Sequence, residues 1–159
     1  MALVGVISDT HGLVRPQALA ALAGADHIIH AGDIGSPDVL AALRAIAPVT
    51  AVRGNNDRER WAEGLGERET VTIGEATFYV LHDLKELDLD PVARGVHAVI
   101  AGHSHRPRIE LRDGVLFLNP GSAGPRRFTL PVSVARVRVE QRRLEPQIVE
   151  LDVASLRAG

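Results

Sequence analysis

The chain has no cysteine, which excludes disulfides and thiolate metal sites. Aromatic residues make up only 3% of it, too few for a platform on which nucleic-acid bases stack. Neither sign of charge dominates: the net charge is -2 and the pI about 6.4, so no broad attraction to nucleic acid or to a membrane surface is expected. No apolar run approaches the roughly 20 residues of a membrane span. The opening run Ala2–Ile7 is too short for a signal-peptide core, and no basic residues precede it, so a cytoplasmic protein is expected. Gly-x-Gly-x-x-Gly, P-loop and Gly-x-Ser-x-Gly patterns are all missing, which removes the commonest nucleotide-binding and serine-hydrolase readings. Lysine occurs only at position 85; the other basic side chains are arginine, a bias that reflects genome composition.

What remains is a globular composition, 45% hydrophobic and 24% charged over 159 residues, and a single domain over 1–159 is expected. Leu3–Ser8 is a continuous apolar run typical of a strand buried on both faces. Pro16 opens an alanine- and leucine-rich helix over Pro16–Leu22, and His27–Ala31 reads as a second strand. Ser36 and Pro37 start a second helix whose inward stripe is Val39, Leu40, Leu43 and Ile46; Val49–Val52 is a third strand. This strand–helix alternation predicts a parallel, doubly wound beginning. Asp57–Gly66 reads as a surface loop or short helix. Two hairpins follow, one over Thr70–Ile73 and Thr77–Leu81, the other over Ile109–Leu111 and Val115–Leu118. Between them lie a charged segment, containing Pro91, that carries one short helix, and a buried strand at Ala98–Ala101. Beyond Pro131, alternating Val132, Val134, Val137 and Val139, then a run over Leu144–Leu151, predict a half-exposed antiparallel pair at a sheet edge.

The residues able to carry chemistry share one position in this pattern. Asp9, His11, Asp33, Asn55, His82, His103, His105 and Asn119 each lie just past the end of an apolar run. Loops at the carboxyl ends of parallel strands converge on one crevice, where ligands bind in open α/β sheets. Carboxylates, imidazoles and amides suit a borderline divalent metal better than calcium, which prefers oxygen throughout. Taken singly, most of these residues have ordinary structural readings: a helix cap at Asp9-Thr10-His11, a turn at Asp33, another at Gly54-Asn55. Two histidines two apart, at His103 and His105 after a buried strand, have little packing reason to be there. His27, His30 and His97 read as structural, with His30 a candidate to support Asp33 from behind.

In order along the chain, Asp9-Thr10-His11, Gly32-Asp33, Gly54-Asn55-Asn56-Asp57, His82 and Gly102-His103-Ser104-His105 resemble the motifs of the calcineurin-like metallophosphoesterases. The short chain and the trailing Asn119-Pro120-Gly121-Ser122 resemble the small bacterial and archaeal phosphodiesterase branch. The resemblance spans Met1 to Ser122. It implies an α/β fold, a four-layer α-β-β-α sandwich of mixed sheets with the metal site at the carboxyl ends of strands. It also implies two divalent metal ions, manganese first, with iron, zinc or nickel as alternatives. Asp9, His11 and His105 would hold one ion; Asn55, His82 and His103 the other; Asp33 would be shared. Asp33, Asn55 and His103 would take the catalytic roles, and a small phosphoester the place of substrate. Two dications about 3.5–4 Å apart can share a hydroxide and clamp a phosphoryl oxygen during in-line attack.

Two positions depart from the family pattern. Asn56 stands where many larger members have a histidine able to protonate the leaving group, a role worth roughly 10²–10⁴-fold that an amide cannot fill. Asp83 stands after His82, where the family usually has glycine. Arg126 and Arg127, just past Ser122, are candidates to reach a phosphate. Haloacid-dehalogenase-type chemistry needs an aspartate at position 11, and the histidine-triad alternation stops at Arg106-Pro107. The main rival is the same fold used as a protein-interaction scaffold, as in the retromer-subunit relatives, which lose ligand histidines; a metal-binding regulator without turnover is a third reading. The alternating strands at the C-terminal end leave a homo-oligomer open, and nothing marks a specific nucleic-acid reader or a membrane protein.

Overall fold

A computed structural model describes residues 1–127 and 129–153. Its strands are β1 (Ala2–Ile7), β2 (His27–His30), β3 (Val49–Ala51), β4 (Arg68–Ile73), β5 (Ala76–Leu81), β6 (Ala98–Ile100), β7 (Arg108–Arg112), β8 (Val115–Asn119), β9 (Ser133–Glu140) and β10 (Arg143–Glu150), with helices α1 (Pro16–Leu22) and α2 (Pro37–Arg44). They form two five-stranded mixed sheets, in the orders β10-β9-β1-β2-β3 and β4-β5-β6-β8-β7. Within the first, β1, β2 and β3 are parallel; within the second, β5, β6 and β8 are. All six strands therefore point their carboxyl ends toward loops that carry candidate residues.

Alternation along each strand assembles the layers, because successive side chains point to opposite faces. Val4 and Val6, Phe78 and Val80, Ala98 and Ile100, and Leu116 and Leu118 turn inward and form the core between the sheets. Their neighbours turn outward. Ile7 and Ile28 meet Leu22 of α1 and Val39, Leu40 and Leu43 of α2 on the outside of the first sheet. Tyr79, Leu81, Val99 and Phe117 face Leu84, Leu87, Leu89 and Val96 on the outside of the second. The result is an α/β sandwich whose fourth layer is thin: a single 3-10 turn at Leu84–Glu86 and the irregular chain after it cover the second sheet.

Several local expectations shift. The short helix expected in the charged segment is a 3-10 turn at Leu84–Glu86, and the loop or short helix expected over Asp57–Gly66 contains a 3-10 turn at Arg60–Ala62. β9 is not half-exposed along its whole length: Ser133, Val134 and Ala135 are all buried, because β9 pairs with β1 on one side and β10 on the other. The edge is β10 alone. Pro37 opens α2 as the spacing predicts, but the Ser36 hydroxyl makes no capping bond. Among the described residues no helix is long and apolar enough to cross a membrane.

Candidate metal centre

The crevice is built by loops that fasten one another. Past β1 and β2 the backbones are zipped together: Asp9 N–H donates to the Gly32 carbonyl, His11 N–H to Asp33 and Gly12 N–H to Ile34. Asp57 ties the β3 loop to the β2 loop. Its buried carboxylate accepts from the N–H groups of Ile34, Gly35 and Gly54, each at 3.0 Å. The β5 and β6 loops of the second sheet join through two bonds. His82 Nδ1 donates to the Ala31 carbonyl at 2.7 Å, and His103 N–H donates to Asp9 Oδ2 at 3.0 Å. Glycine precedes three of the candidate residues because nothing larger fits: a methyl group at Gly32 would strike the His82 ring, one at Gly54 the Asp33 carboxylate and backbone, and one at Gly102 Ser8 and Asp9.

These fastenings hold both buried carboxylates in fixed orientations. Asp9 Oδ2 accepts from the Ser8 hydroxyl at 2.7 Å as well as from His103 N–H, which leaves Oδ1 facing His105 Nε2 at 3.3 Å and His82 Nε2 at 3.8 Å. Asp33 Oδ1 accepts from Asn56 N–H at 3.0 Å. Its Oδ2 accepts from the Asn56 side-chain amide at 3.1 Å and lies 3.3 Å from His82 Nε2 and 3.9 Å from His11 Nε2. Asn56 therefore positions the central carboxylate, a role its place in the motif does not announce.

The imidazoles stand around these oxygens. Ring centroids of His11 and His105 are 5.6 Å apart, and those of His82 and His103 are 5.2 Å apart. Ligand atoms of Asp9, His11 and His105 lie within 4.8 Å of one another, as do those of Asp9, Asp33 and His82. Asn55 sits on the exposed rim and lines the same cleft as His82 and His103. Asp83 Oδ2 lies 3.7 Å from His103 Nε2, and Asp83 Oδ1 accepts from Lys85 N–H, so this extra carboxylate faces the histidine. Asn119 is spent on the loop itself: its amide donates to the Gly102 carbonyl and Ser104 Oγ, and its oxygen accepts from Gly121 N–H. Arg126 turns to the Leu130 carbonyl.

Four buried atoms at this spot have no hydrogen-bond partner: Asp9 Oδ1, His11 Nε2, His82 Nε2 and His105 Nδ1. Buried polar groups are nearly always paired, so Asp9 Oδ1, His11 Nε2 and His82 Nε2, gathered around the carboxylate oxygens, need a common partner. A divalent cation satisfies both the carboxylate and the neutral imidazoles, and the donor set fits one. Electrostatics agree. Burial alone pushes His82 down, but the Asp33 and Asp9 carboxylates outweigh it and hold the imidazole up at about 9. Burial likewise opposes the charge on Asp33, yet His82 and the Asn56 N–H keep its carboxyl down at about 2; burial is also the largest influence on Asp9, but His105, His82 and the Ser8 hydroxyl together outweigh it and lower its carboxyl. Asp9, Asp33 and His82 could hold a metal ion here, whose charge would take the place of the proton that otherwise balances the two carboxylates.

Five site residues, Asp9, His11, Asp33, His103 and His105, have left-handed backbones with φ between 49° and 70°. Such conformations cost about 1–3 kcal/mol each and persist where the surroundings over-determine them. Behind Asp33, fully buried His30 accepts from Gly32 N–H at its Nδ1 (3.1 Å), and its Nε2 meets the Thr10 hydroxyl at 3.0 Å. The hydroxyl in turn donates to the Ile34 carbonyl, so His30 must hold its proton on Nε2.

The profile of the calcineurin-like phosphoesterase superfamily domain matches residues 2–142. A probable metallophosphoesterase of Methanothermobacter thermautotrophicus is 37% identical over 158 residues, covering 92% of this chain and 91% of that protein. A phosphodiesterase of Methanocaldococcus jannaschii is 30% identical over 137 residues, covering 74% of this chain and 82% of its own. Among solved structures, wild-type Vps29 of Entamoeba histolytica, complexed with Zn²⁺, shares the fold with a TM-score of 0.73 at 24% identity, over 93% of this chain and 98% of that one. The chain belongs to the calcineurin-like phosphoesterase superfamily, a family of metal-dependent phosphoester hydrolases.

Proposed function

We propose that the chain is a phosphodiesterase that works with two divalent metal ions, manganese in the first instance. Asp9, His11 and His105 would hold one, Asn55, His82 and His103 the other, and Asp33 both. The observation that carries this reading is the set of three buried, unpartnered atoms, Asp9 Oδ1, His11 Nε2 and His82 Nε2, gathered beside Asp33, with His105 Nε2 facing Asp9 Oδ1. Bound dications would supply Lewis-acid polarisation of the phosphoryl oxygens and an activated water.

The chain's own groups do the positioning. The Ala31 carbonyl takes the Nδ1 proton of His82 and so fixes the ring with Nε2 toward the carboxylates, the nitrogen that would ligate a metal on losing its proton. Asn56 and Asp57 hold Asp33 and its loop against the β3 loop. Because the amide of Asn56 cannot donate a proton to a departing alkoxide, the chain favours esters with good leaving groups.

Purified protein supplied with manganese is expected to hydrolyse bis(p-nitrophenyl) phosphate. Asp33→Asn and His103→Ala are expected to abolish this with the circular-dichroism spectrum unchanged. Absence of bound dication by elemental analysis, together with no hydrolysis across manganese, iron, zinc and nickel, overturns the proposal in favour of a scaffold of the same fold.

A further inference from the structure

A cleft of about 580 Å³ opens on the outer face of the second sheet, between the Leu84–Glu86 turn and edge strand β7. It runs into the candidate centre: Asp83, Gly102 and His103 line it, and His103 also lines the neighbouring cleft with Asn55 and His82. Its floor is apolar, from Val99, Ala101 and Phe117. Its rim is cationic. Arg108 and Arg112 both pair with Glu110, which neutralises that carboxylate and holds the guanidiniums along the strand. Arg112 lies 4.6 Å from the centroid of the Phe117 ring and is itself exposed, so it offers a flat platform suited to another ring. Lys85 and Arg106 line the same cleft with no acidic partner among the described residues. The remaining acid, Asp83, is turned toward His103 and the Lys85 N–H.

A phosphodiester carries two ester arms, and one placed at the metal centre must direct an arm past His103. We propose that this cleft is the subsite for that arm, and that the arm it takes combines a flat ring with a second anionic group. The ring lies on the apolar floor beside the Arg112 guanidinium, and the anion meets Lys85 and Arg106. This rests on the phosphodiesterase reading and deepens it by naming the substrate class. Two cationic side chains left unpaired above an apolar floor are what such an arm needs; a purely aliphatic arm would leave both charges unused.

The test compares thymidine 5′-(p-nitrophenyl phosphate) with its analogue bearing a 3′-phosphate, in wild type and in the exposed double variant Lys85→Gln/Arg106→Gln. Wild type is expected to favour the 3′-phosphorylated ester by about tenfold in kcat/KM, mostly through KM, and the variant to lose that preference. Thymidine 3′,5′-bisphosphate is titrated calorimetrically into the same proteins in EDTA, where about tenfold weaker binding by the variant is expected. Equal kcat/KM for both esters in both proteins, with unchanged calorimetric binding, overturns the subsite and leaves the phosphodiesterase reading standing. No hydrolysis of any diester, with binding still lost in the variant, overturns the catalytic reading and keeps the subsite. Neither hydrolysis nor binding overturns both.

Discussion

Asp57 carries the most specific prediction. Its carboxylate, 2% exposed, accepts three backbone N–H groups from two loops, with Oδ2 taking Ile34 and Gly54 and Oδ1 taking Gly35. Asparagine is nearly the same shape but keeps one acceptor. Its best arrangement leaves the oxygen on Ile34 and Gly54 and turns an NH₂ toward the N–H of Gly35, a residue at the surface. Two bonds lose their charge assistance and one is lost, so Asp57→Asn should cost about 2–3 kcal/mol. Alanine strands the Ile34 and Gly54 donors in the interior, and Asp57→Ala should cost about 4 kcal/mol. The loops that present Asp33 and Asn55 lose their common anchor, so manganese affinity should fall as well, by about 10–100-fold. Urea unfolding in EDTA at pH 7 reads the first effect and calorimetric manganese titration the second. An Asp57→Asn protein that unfolds within about 0.5 kcal/mol of wild type and binds manganese as tightly would refute the reasoning.

Other consequences follow from the same bonds. His30 is pushed by burial down to about 4 from the ordinary 6.5, so the unfolded chain binds this proton first as pH falls. Its contribution is complete above pH 6.5 and is lost as pH drops toward 4, about 3 kcal/mol in all; His30→Gln should flatten urea midpoints across that window in EDTA, and superimposable curves would count against it. His103 pairs a left-handed backbone (φ 70°) with a half-exposed side chain, so His103→Gly should end hydrolysis yet raise metal-free stability by about 1 kcal/mol in thermal melts. A lower melting temperature would argue that its side chain contributes to the fold. Asn56→Ala removes the side-chain bond to Asp33 and should weaken manganese binding by about 10–100-fold with little change in urea midpoint, whereas unchanged affinity would show that the Asn56 N–H suffices.

Much of this architecture could be read from local pattern. β1, β2, β5, β6 and β8 are apolar runs bounded by turn residues, and α1 and α2 open at Pro16 and Pro37, where the sequence marks them. The residues that line the crevice could be found because each follows a strand, a purely sequential fact. The support His30 gives behind Asp33 could be suspected from its place three residues before it, but the bonds that Asn56, Asp57 and His30 make could not be read, because their partners lie about twenty positions away. Asn119 erred in the other direction. It follows a strand as the ligand candidates do, but its amide is saturated by the neighbouring loop.

By itself, then, the sequence determined which segments alternate and which side chains end each strand, since both depend on neighbours one or two residues apart. Only the tertiary structure decided which carboxylate oxygens are held by Ser8, Asn56 and backbone N–H groups, and which are left bare beside imidazoles. It also placed the cationic edge of β7 beside His103, across a cleft no local pattern describes. The physical reason is range. Alternation acts through covalent geometry along the chain, whereas a hydrogen bond or a pocket wall is set by whatever the packing of two sheets brings within a few ångströms.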